Sequence, residues 1–189
     1  MKTENELFEY GSGTERLVLR PLKNDDYKNW LNEFNRRYPS QHRHDTGRTD
    51  MSDCTEEWFN NLIDKHQNLA LTDTAYIFGV FRQEDGTHLG MVDLSTIERG
   101  DFQWGRIGYS FHNQYWGKGY GREAVNEALH MAFKYLNFHR IEAHINIDNP
   151  ASIKLAENVG MEYECTRKGF IFEFGDWTDN LIYFKNLVE

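Results

Sequence analysis

The chain has 189 residues, a net charge of −9 and 15% aromatic residues. This length and composition indicate one globular domain that can bury a core without disulfides or a structural metal. The acidic balance disfavours nucleic acid as a partner, and no apolar run approaches the roughly 20 residues needed to cross a bilayer.

Two features bear on the compartment. Cys54 and Cys165 make no CxxC motif and indicate no disulfide framework. The N-terminus lacks the apolar stretch of a signal peptide. We therefore expect a cytoplasmic protein with no membrane partner.

The first half of the chain predicts two helices between strands. Residues 1–15 are expected to form a lead-in, and one domain is expected over 16–189. Asn24–Asp26 can cap the first helix, and Ser52 or Asp53 the second, because short polar side chains accept the first free helical amides. The predicted elements are, in chain order, a strand over 16–20, a helix from its cap at 24–26 to about 37, a polar loop over 38–52, a second helix after it, and hairpin strands over 76–81 and 88–97.

The second half predicts strands that alternate with helices and then a closing hairpin. Its predicted elements are a strand over 104–111, a helix over 120–136, a strand over 140–148, a short helix over 150–159, and antiparallel strands over 169–174 and 181–187. The central strand, helix and strand predict a parallel crossover. The predicted fold class is therefore α/β, in the form of an α+β mixed sheet, mostly antiparallel, with helices on both faces.

A glycine-rich segment joins the third strand to the long helix. Gly117, Gly119 and Gly121 alternate there, and glycine lets the backbone approach a ligand closely. The first amides of a helix lack internal partners and, with the helix dipole, form an anion site. Lys118 and Arg122 add positive charge. The segment therefore predicts binding of a phosphate-bearing ligand, and a tight turn without a ligand is the alternative.

The segment departs from two other phosphate-binding motifs. A P-loop requires Ser or Thr after Gly-Lys, whereas Gly119 follows Lys118. A dinucleotide fold is a closer match, because Gly119, Gly121 and Ala124 match GxGxxA and Glu142 follows about 20 residues later. The bulky residues of the preceding loop and the antiparallel strands before it weigh against that fold.

Residues 115–124, Tyr-Trp-Gly-Lys-Gly-Tyr-Gly-Arg-Glu-Ala, resemble the pyrophosphate-binding motif of the GNAT superfamily of N-acetyltransferases. Trp116 stands where that motif usually has Arg or Gln, which resembles the RimJ/RimL-like branch of ribosomal-protein N-terminal acetyltransferases. Residues 148–152 and 157–161 resemble the Asn-x-x-Ser and Gly-Phe signatures of this branch, with Met161 in place of Phe.

The resemblance implies a GNAT-like acyl-CoA N-acyltransferase fold with acetyl-CoA as cosubstrate. It covers residues 16–187 and is weakest over 38–69, the region that shapes the acceptor pocket in this fold. Acetyl-CoA is then expected between the strands over 104–111 and 140–147, where an amine attacks it directly without a covalent acetyl-enzyme. The residues that the resemblance places on the cofactor are Ser110, Phe111, Trp116, Gly117, Lys118, Gly119, Tyr120, Gly121, Arg122 and Asn149.

Two polar residues open the short helix after the crossover. The resemblance makes Ser152 the candidate proton donor to the leaving thiolate, with Asn149 on the pantetheine arm. A structural interpretation stays open, because Asn149-Pro150 before a helix that ends at Gly160 is an ideal cap and stop.

The acceptor amine must lose a proton, which raises the question of a base. An α-amino group is partly neutral at pH 7, whereas a lysine amine is not. Glu142 and His144 share one face of their strand with Arg140 and Asn146 and are the candidate bases. A solvated or hydrogen-bonded strand face is the alternative interpretation, and Asp93 is a further candidate.

Two other groups are interpreted as structural. His42, His44 and Asp45 cluster in the loop over 38–52, where we expect a polar surface rather than a metal site. Cys165 lacks an evident partner base and is interpreted as a small hydrophobe. No metal is therefore predicted.

The sequence thus predicts an acetyl-CoA-dependent N-acetyltransferase that acts on a primary amine, either a peptide N-terminus or a small amine. A dinucleotide-binding oxidoreductase and a non-catalytic CoA-binding regulatory module are the alternatives, and a homodimer stays open. Acidic residues in the region of weakest resemblance favour a cationic acceptor if they line its channel. These residues are Asp45, Asp50, Asp53, Glu56 and Glu57.

Overall fold

The computed structural model describes residues 7–188. Its strands are β1 (Ser12–Gly13), β2 (Leu17–Arg20), β3 (Ala75–Arg82), β4 (His88–Glu98), β5 (Trp104–Phe111), β6 (Arg140–Asn146), β7 (Glu162–Glu173) and β8 (Asp176–Asn186). Its helices are α1 (Tyr27–Asn35), α2 (Glu56–Leu71), α3 (Tyr120–Lys134) and α4 (Pro150–Asn158), with short 3₁₀ helices at Asn24–Asp26 and Asn113–Tyr115.

The strands form one mixed sheet in the order β1-β2-β3-β4-β5-β6-β8-β7. β6 pairs in parallel with β5, with Trp104 opposite Arg140, and antiparallel with β8. The predicted α/β fold class and the parallel crossover are therefore confirmed. Within the described range, no helix is both long enough and apolar enough to cross a bilayer.

The contacts divide the described residues into two compact units. The first contains the chain up to Asp93 together with Tyr109–Glu127, and the second contains Leu94–Gly108 and the chain from Ala128 onward. In the first unit, α1 and α2 pack their apolar sides with β3 because apolar residues recur at helical spacing. The buried core there consists of Leu22, Trp30, Phe59, Ile63 and Phe81.

The first helix begins directly after its predicted cap, whereas the second begins later than the sequence predicts. Thr55 caps α2 by accepting the Trp58 amide at 3.2 Å, so neither Ser52 nor Asp53 is the cap. Before α1, the Asp26 carboxylate accepts the Lys23 amide at 2.7 Å and a short 3₁₀ turn precedes the helix. Helix α1 ends at Asn35 rather than at about residue 37, and Arg36 is its C-cap.

Residues of the predicted lead-in take part in the first unit. Ser12 and Gly13 form β1, which pairs antiparallel with β2. The Phe8 ring lies 5.1 Å from that of Tyr76 and 5.7 Å from that of Phe78. Apolar burial and strand pairing therefore hold this segment, which has too few residues for a strand pattern to be visible in the sequence.

The second unit contains a longer closing hairpin than the sequence predicts. β7 begins at Glu162 and β8 at Asp176, earlier than predicted. Polar and charged side chains fill the exposed face of β7, so the sequence does not show its alternating pattern. Asn149 caps α4 by accepting the Ser152 amide at 3.2 Å. Gly160 follows α4 with φ +74°, a left-handed conformation that stops a helix.

A histidine pair is buried in the first unit. Nδ1 of His88 and Nε2 of His112 lie 3.0 Å apart, and the two residues are 0% and 2% exposed. Burial lowers the pKa of His88 to about 4. Burial and the neighbouring positive groups lower the pKa of His112 to about 3. The pair is therefore neutral in the folded chain near neutral pH.

This pair makes the free energy of unfolding depend on pH. Because both folded-state pKa values lie below the ordinary value of about 6.5, the unfolded chain binds more protons as the pH falls. The loss by pH 5 is on the order of 2 kcal/mol for each histidine. In urea unfolding, we expect the double variant His88→Leu/His112→Leu to lose less stability than the parent between about pH 7 and pH 5. An equal loss in both proteins would contradict this account.

Candidate functional site

The glycine-rich segment turns sharply between β5 and α3. Gly117 and Gly119 have φ values of +75° and +81°, in the left-handed region that favours glycine. A Cβ added at Gly117 would meet no atom within 4 Å, so the backbone there faces open space. The carbonyl of Gly119 accepts the Glu123 amide at 3.2 Å, which starts α3 directly after the second left-handed residue. The first amides of α3 are therefore placed to bind an anion.

The 3₁₀ turn before the glycines is anchored to α1 and to the chain after it. Asn113 accepts the Tyr38 amide at 2.8 Å and donates to the Tyr38 carbonyl at 3.0 Å. Tyr115 donates its hydroxyl to the Glu33 carboxylate at 2.6 Å. Burial and this bond raise the pKa of Tyr115 to about 12, so the hydroxyl stays protonated and keeps donating.

Asp45 is the buried centre of the loop that follows α1. Its carboxylate accepts Nδ2 of Asn113 at 3.0 Å and the amides of Gln41 and Gly47 at 2.9 and 2.8 Å. Arg37 approaches it to 3.4 Å. Burial raises the pKa of Asp45, but these hydrogen bonds and the Arg37 charge outweigh burial, and the pKa is lowered overall.

The expectation of a polar surface cluster at His42, His44 and Asp45 is therefore wrong for Asp45. The Asp45 side chain is 0% exposed, because it organises the loop instead of facing solvent. His42 stacks on Trp116 with ring centroids 5.4 Å apart. Within residues 7–188, no group of three or more His, Cys, Asp or Glu side chains is arranged to hold a metal ion.

Trp116 also contacts the end of β5. Its Nε1 donates to the Phe111 carbonyl at 3.0 Å, while the residue stays 38% exposed. Gly90 on β4 lies against the same end, since an added Cβ would come within 2.2 Å of the Ser110 carbonyl oxygen. Gly90 was missed in the sequence because only the close approach of two strands shows why glycine is needed there.

Arg16, the residue before β2, contacts the glycine-rich segment. Its Nε and Nη2 donate to the Glu123 carboxylate at 2.7 and 2.6 Å, and Nη1 donates to the Lys118 carbonyl at 3.1 Å. Thr14 adds a hydroxyl bond of 2.5 Å to the same carboxylate. Neither residue was singled out in the sequence, because the pairing joins positions 107 residues apart.

Glu142 and His144 lie together on β6 in the second unit. Glu142 is 1% exposed and accepts Nε2 of His144 at 2.9 Å and Arg140 at 2.8 Å. Arg167 approaches the same carboxylate to 3.4 Å. Burial raises the pKa of Glu142, but the hydrogen bonds and the arginine charges prevail and lower it overall. The strand face is therefore hydrogen-bonded at Glu142 and not solvated.

Two predicted site residues, Asn149 and Ser152, lie at the start of α4. The cap that Asn149 forms on the Ser152 amide is the structural arrangement expected from Asn-Pro at a helix start. Ser152 is partly buried in the first turn. Its amide, and not its hydroxyl, makes the capping bond, so the hydroxyl can be removed without loss of the cap.

Comparison with known proteins identifies the family. A model described as an Acetyltransferase (GNAT) domain matches residues 16–162. A probable N-acetyltransferase of Bacillus subtilis, YjcK, is 33% identical over 128 residues, which cover 68% of this chain and 71% of the relative.

Solved structures agree with this match. The ribosomal-protein-S5-alanine acetyltransferase of Vibrio fischeri superposes with a TM-score of 0.75 at 27% identity, over 94% of this chain and 97% of its own. Mycobacterium smegmatis RimJ, solved in complex with CoA-disulfide, shares the fold with a TM-score of 0.74 at 20% identity, over 90% and 81% of the two chains.

These matches favour the acetyltransferase interpretation over the dinucleotide-binding oxidoreductase and the non-catalytic module. They also agree with the resemblance of the glycine-rich segment to the RimJ/RimL-like branch. The chain belongs to the GNAT acetyltransferase family and is an enzyme of the N-acetyltransferase type.

Proposed function

We propose that this enzyme transfers the acetyl group of acetyl-CoA directly to a primary amine in a ternary complex. The observation that carries the proposal is the backbone of the glycine-rich segment, where two left-handed glycines lead straight into the first turn of α3. That arrangement suits a pyrophosphate, because free amides and the helix dipole both favour an anion. The CoA-disulfide held by the structurally similar RimJ supports this choice of ligand.

In this proposal, the amides from Gly117 to Arg122 hold the pyrophosphate. The charges of Lys118 and Arg122 add to the attraction. Main-chain groups of Ser110 and Phe111 hold the pantetheine arm. The open space beside Gly117 fits this role, since a side chain there would occupy the volume that the ligand needs.

A substitution at Gly117 tests the pyrophosphate site. Gly117→Glu adds a carboxylate to the anion site and should weaken acetyl-CoA binding by about tenfold or more, measured by calorimetry. Gly86→Glu is the matched control, because Gly86 also has a positive φ (+73°) and open space around it but lies in the β3–β4 turn. Unchanged affinity in Gly117→Glu, or an equal loss in Gly86→Glu, would contradict the assignment.

We propose Ser152 as the proton donor to the leaving thiolate, with Asn149 on the pantetheine arm. For the proton of the amine, we propose His144, oriented by its 2.9 Å hydrogen bond to Glu142. Imidazole is the side chain that most often exchanges protons near neutral pH. Glu142 suits the orienting role because its lowered pKa keeps it a carboxylate that accepts from His144.

Kinetics of single variants test these roles. Ser152→Ala and His144→Gln should each lower kcat by roughly 10- to 1,000-fold, the usual range for a general acid or base. The Kd of acetyl-CoA should change little, because neither side chain is assigned to the pyrophosphate. Lys154→Ala, an exposed change on the same helix as Ser152, serves as control. A normal kcat in Ser152→Ala would show that the thiolate is protonated by another group.

For the acceptor, we propose a peptide N-terminus or a small cationic amine. A cavity of about 430 Å³ lies between α1 and the chain over 48–55 that precedes α2 in the first unit. Its lining includes Tyr27, Leu31, Arg48, Asp50, Met51 and Cys54. Asp50 suits an amine there, whereas Asp45 is buried in the loop interior and does not contribute. The structure that superposes on this chain is a ribosomal-protein-S5-alanine acetyltransferase, which supports a protein as one acceptor class.

Steady-state rates with three acceptors test this proposal. The acceptors are a peptide with only its N-terminus free, the same peptide with only a lysine free, and a polyamine. Asp50→Asn should raise KM for the preferred cationic acceptor by about threefold, while Asp53→Asn, an equally exposed change outside the cavity lining, should not. The N-terminal peptide should react faster than the lysine peptide. Faster turnover on the lysine peptide would contradict the preference for an α-amino group. Equal effects of the two variants would contradict the assignment of the cavity to the acceptor.

A further inference from the structure

An acidic residue stands at the place proposed for the pyrophosphate. Glu123 lies in the first turn of α3, four residues after Gly119 and next to Arg122. A carboxylate at a helix N-terminus is favourable by itself. A second anion bound at the same terminus would be repelled by it, unless the carboxylate is neutralised or directed away.

The structure shows how this carboxylate is directed and neutralised. One oxygen accepts the Thr14 hydroxyl at 2.5 Å and the Arg16 amide at 3.0 Å. The other accepts Nε and Nη2 of Arg16 at 2.7 and 2.6 Å. Burial raises the pKa of Glu123, but these bonds and the Arg16 charge outweigh burial and lower it overall. Glu123 is therefore an ionised carboxylate whose charge is balanced by one guanidinium.

The same guanidinium contacts the glycine-rich segment at two more positions. Nη1 donates to the Lys118 carbonyl at 3.1 Å, and Cζ lies 4.9 Å from the centre of the Tyr120 ring. Nη2 lies 3.4 Å from the position of a Cβ built at Gly119. A single side chain from the residue before β2 thus contacts a carbonyl before Gly119 and two side chains after it.

The exposure of Arg16 decides what this network can do. The Arg16 side chain is 45% exposed, and ion pairs this accessible to solvent contribute little to global stability. The network instead determines local geometry, because a planar guanidinium with several fixed donors specifies orientation. Holding the Lys118 carbonyl on Arg16 points the Gly119 amide away from Arg16, because the C=O and N–H of one trans peptide point in opposite directions.

We propose that Arg16 is a positioning residue for the cofactor, which holds the Lys118 carbonyl and neutralises Glu123 so that the amides after Gly119 meet the pyrophosphate. This inference rests on the proposed pyrophosphate site. It adds a residue outside the glycine-rich motif, and it states why a carboxylate at position 123 is compatible with a bound anion. Glu123 acts as the partner that orients Arg16 and does not contact the ligand.

The test compares variants with two acetyl donors. Arg16→Ala should raise the Kd of acetyl-CoA by about tenfold, because Glu123 is then free to repel the pyrophosphate. Glu123→Gln alone should change affinity by less than about threefold, and Arg16→Ala/Glu123→Gln should recover the part of the loss that comes from repulsion by Glu123. With S-acetylpantetheine, which has no pyrophosphate, kcat/KM should be the same in Arg16→Ala and in the parent.

Matched controls separate positioning from a structural role. Arg99→Ala removes another arginine that donates to a main-chain carbonyl, that of Leu136 at 2.9 Å, and should leave the Kd of acetyl-CoA unchanged. An equal loss of kcat/KM with S-acetylpantetheine in Arg16→Ala would show a general structural effect and overturn the inference. The same holds if the double variant binds no better than Arg16→Ala. If Gly117→Glu lowers affinity but Arg16→Ala does not, only this inference is wrong, whereas normal binding by Gly117→Glu contradicts the site itself.

Discussion

The left-handed backbone at Gly117 and Gly119 is the constraint on which the glycine-rich segment depends. Side chains other than glycine rarely adopt this conformation, and it turns the chain from the end of β5 into the first turn of α3 within a few residues. Glycine alone would leave the segment free to move. The surrounding side chains remove that freedom, with Asn113 and Tyr115 bonded back on one side and Arg16 bonded to Glu123 on the other.

Buried carboxylates hold neighbouring segments in place in both units. Glu33 and Asp45 hold the segment around α1 and the loop after it, and Glu142 holds His144 on β6. Each has several donors, which compensates the cost of burying a charge. Removal of one hydrogen-bond donor from such a group typically costs about 1–3 kcal/mol, so substitutions of these donors should be destabilising. The acidic composition of the chain therefore has an interior component as well as a surface one.

Local patterns in the sequence predicted the elements that local chemistry determines. The strand over 104–111, the start of α3 at Tyr120 and the Asn149 cap of α4 match the structure because strand alternation and capping act over a few residues. The glycine-rich segment was found for the same reason.

Such local patterns do not predict contacts between residues that are distant in the sequence. Asn113 and Asp45 are 68 residues apart, and the pairing of Arg16 with Glu123 spans 107. Asp45 was expected on the surface, since nothing in the neighbouring residues shows that the Asn113 side chain hydrogen-bonds to its carboxylate and offsets the cost of burial. The acceptor stays a prediction for the same reason, because a pocket formed by a helix and a loop distant in the sequence has no local signal.

Amide hydrogen exchange of the intact protein with and without CoA tests the central claim most directly. If the amides from Gly117 to Arg122 hold the pyrophosphate, saturating CoA should slow exchange in the peptide that spans them, while the β7–β8 turn at Phe174 and Gly175 should exchange as before. Saturation of the protein by CoA with unchanged exchange over 117–122 would contradict the account.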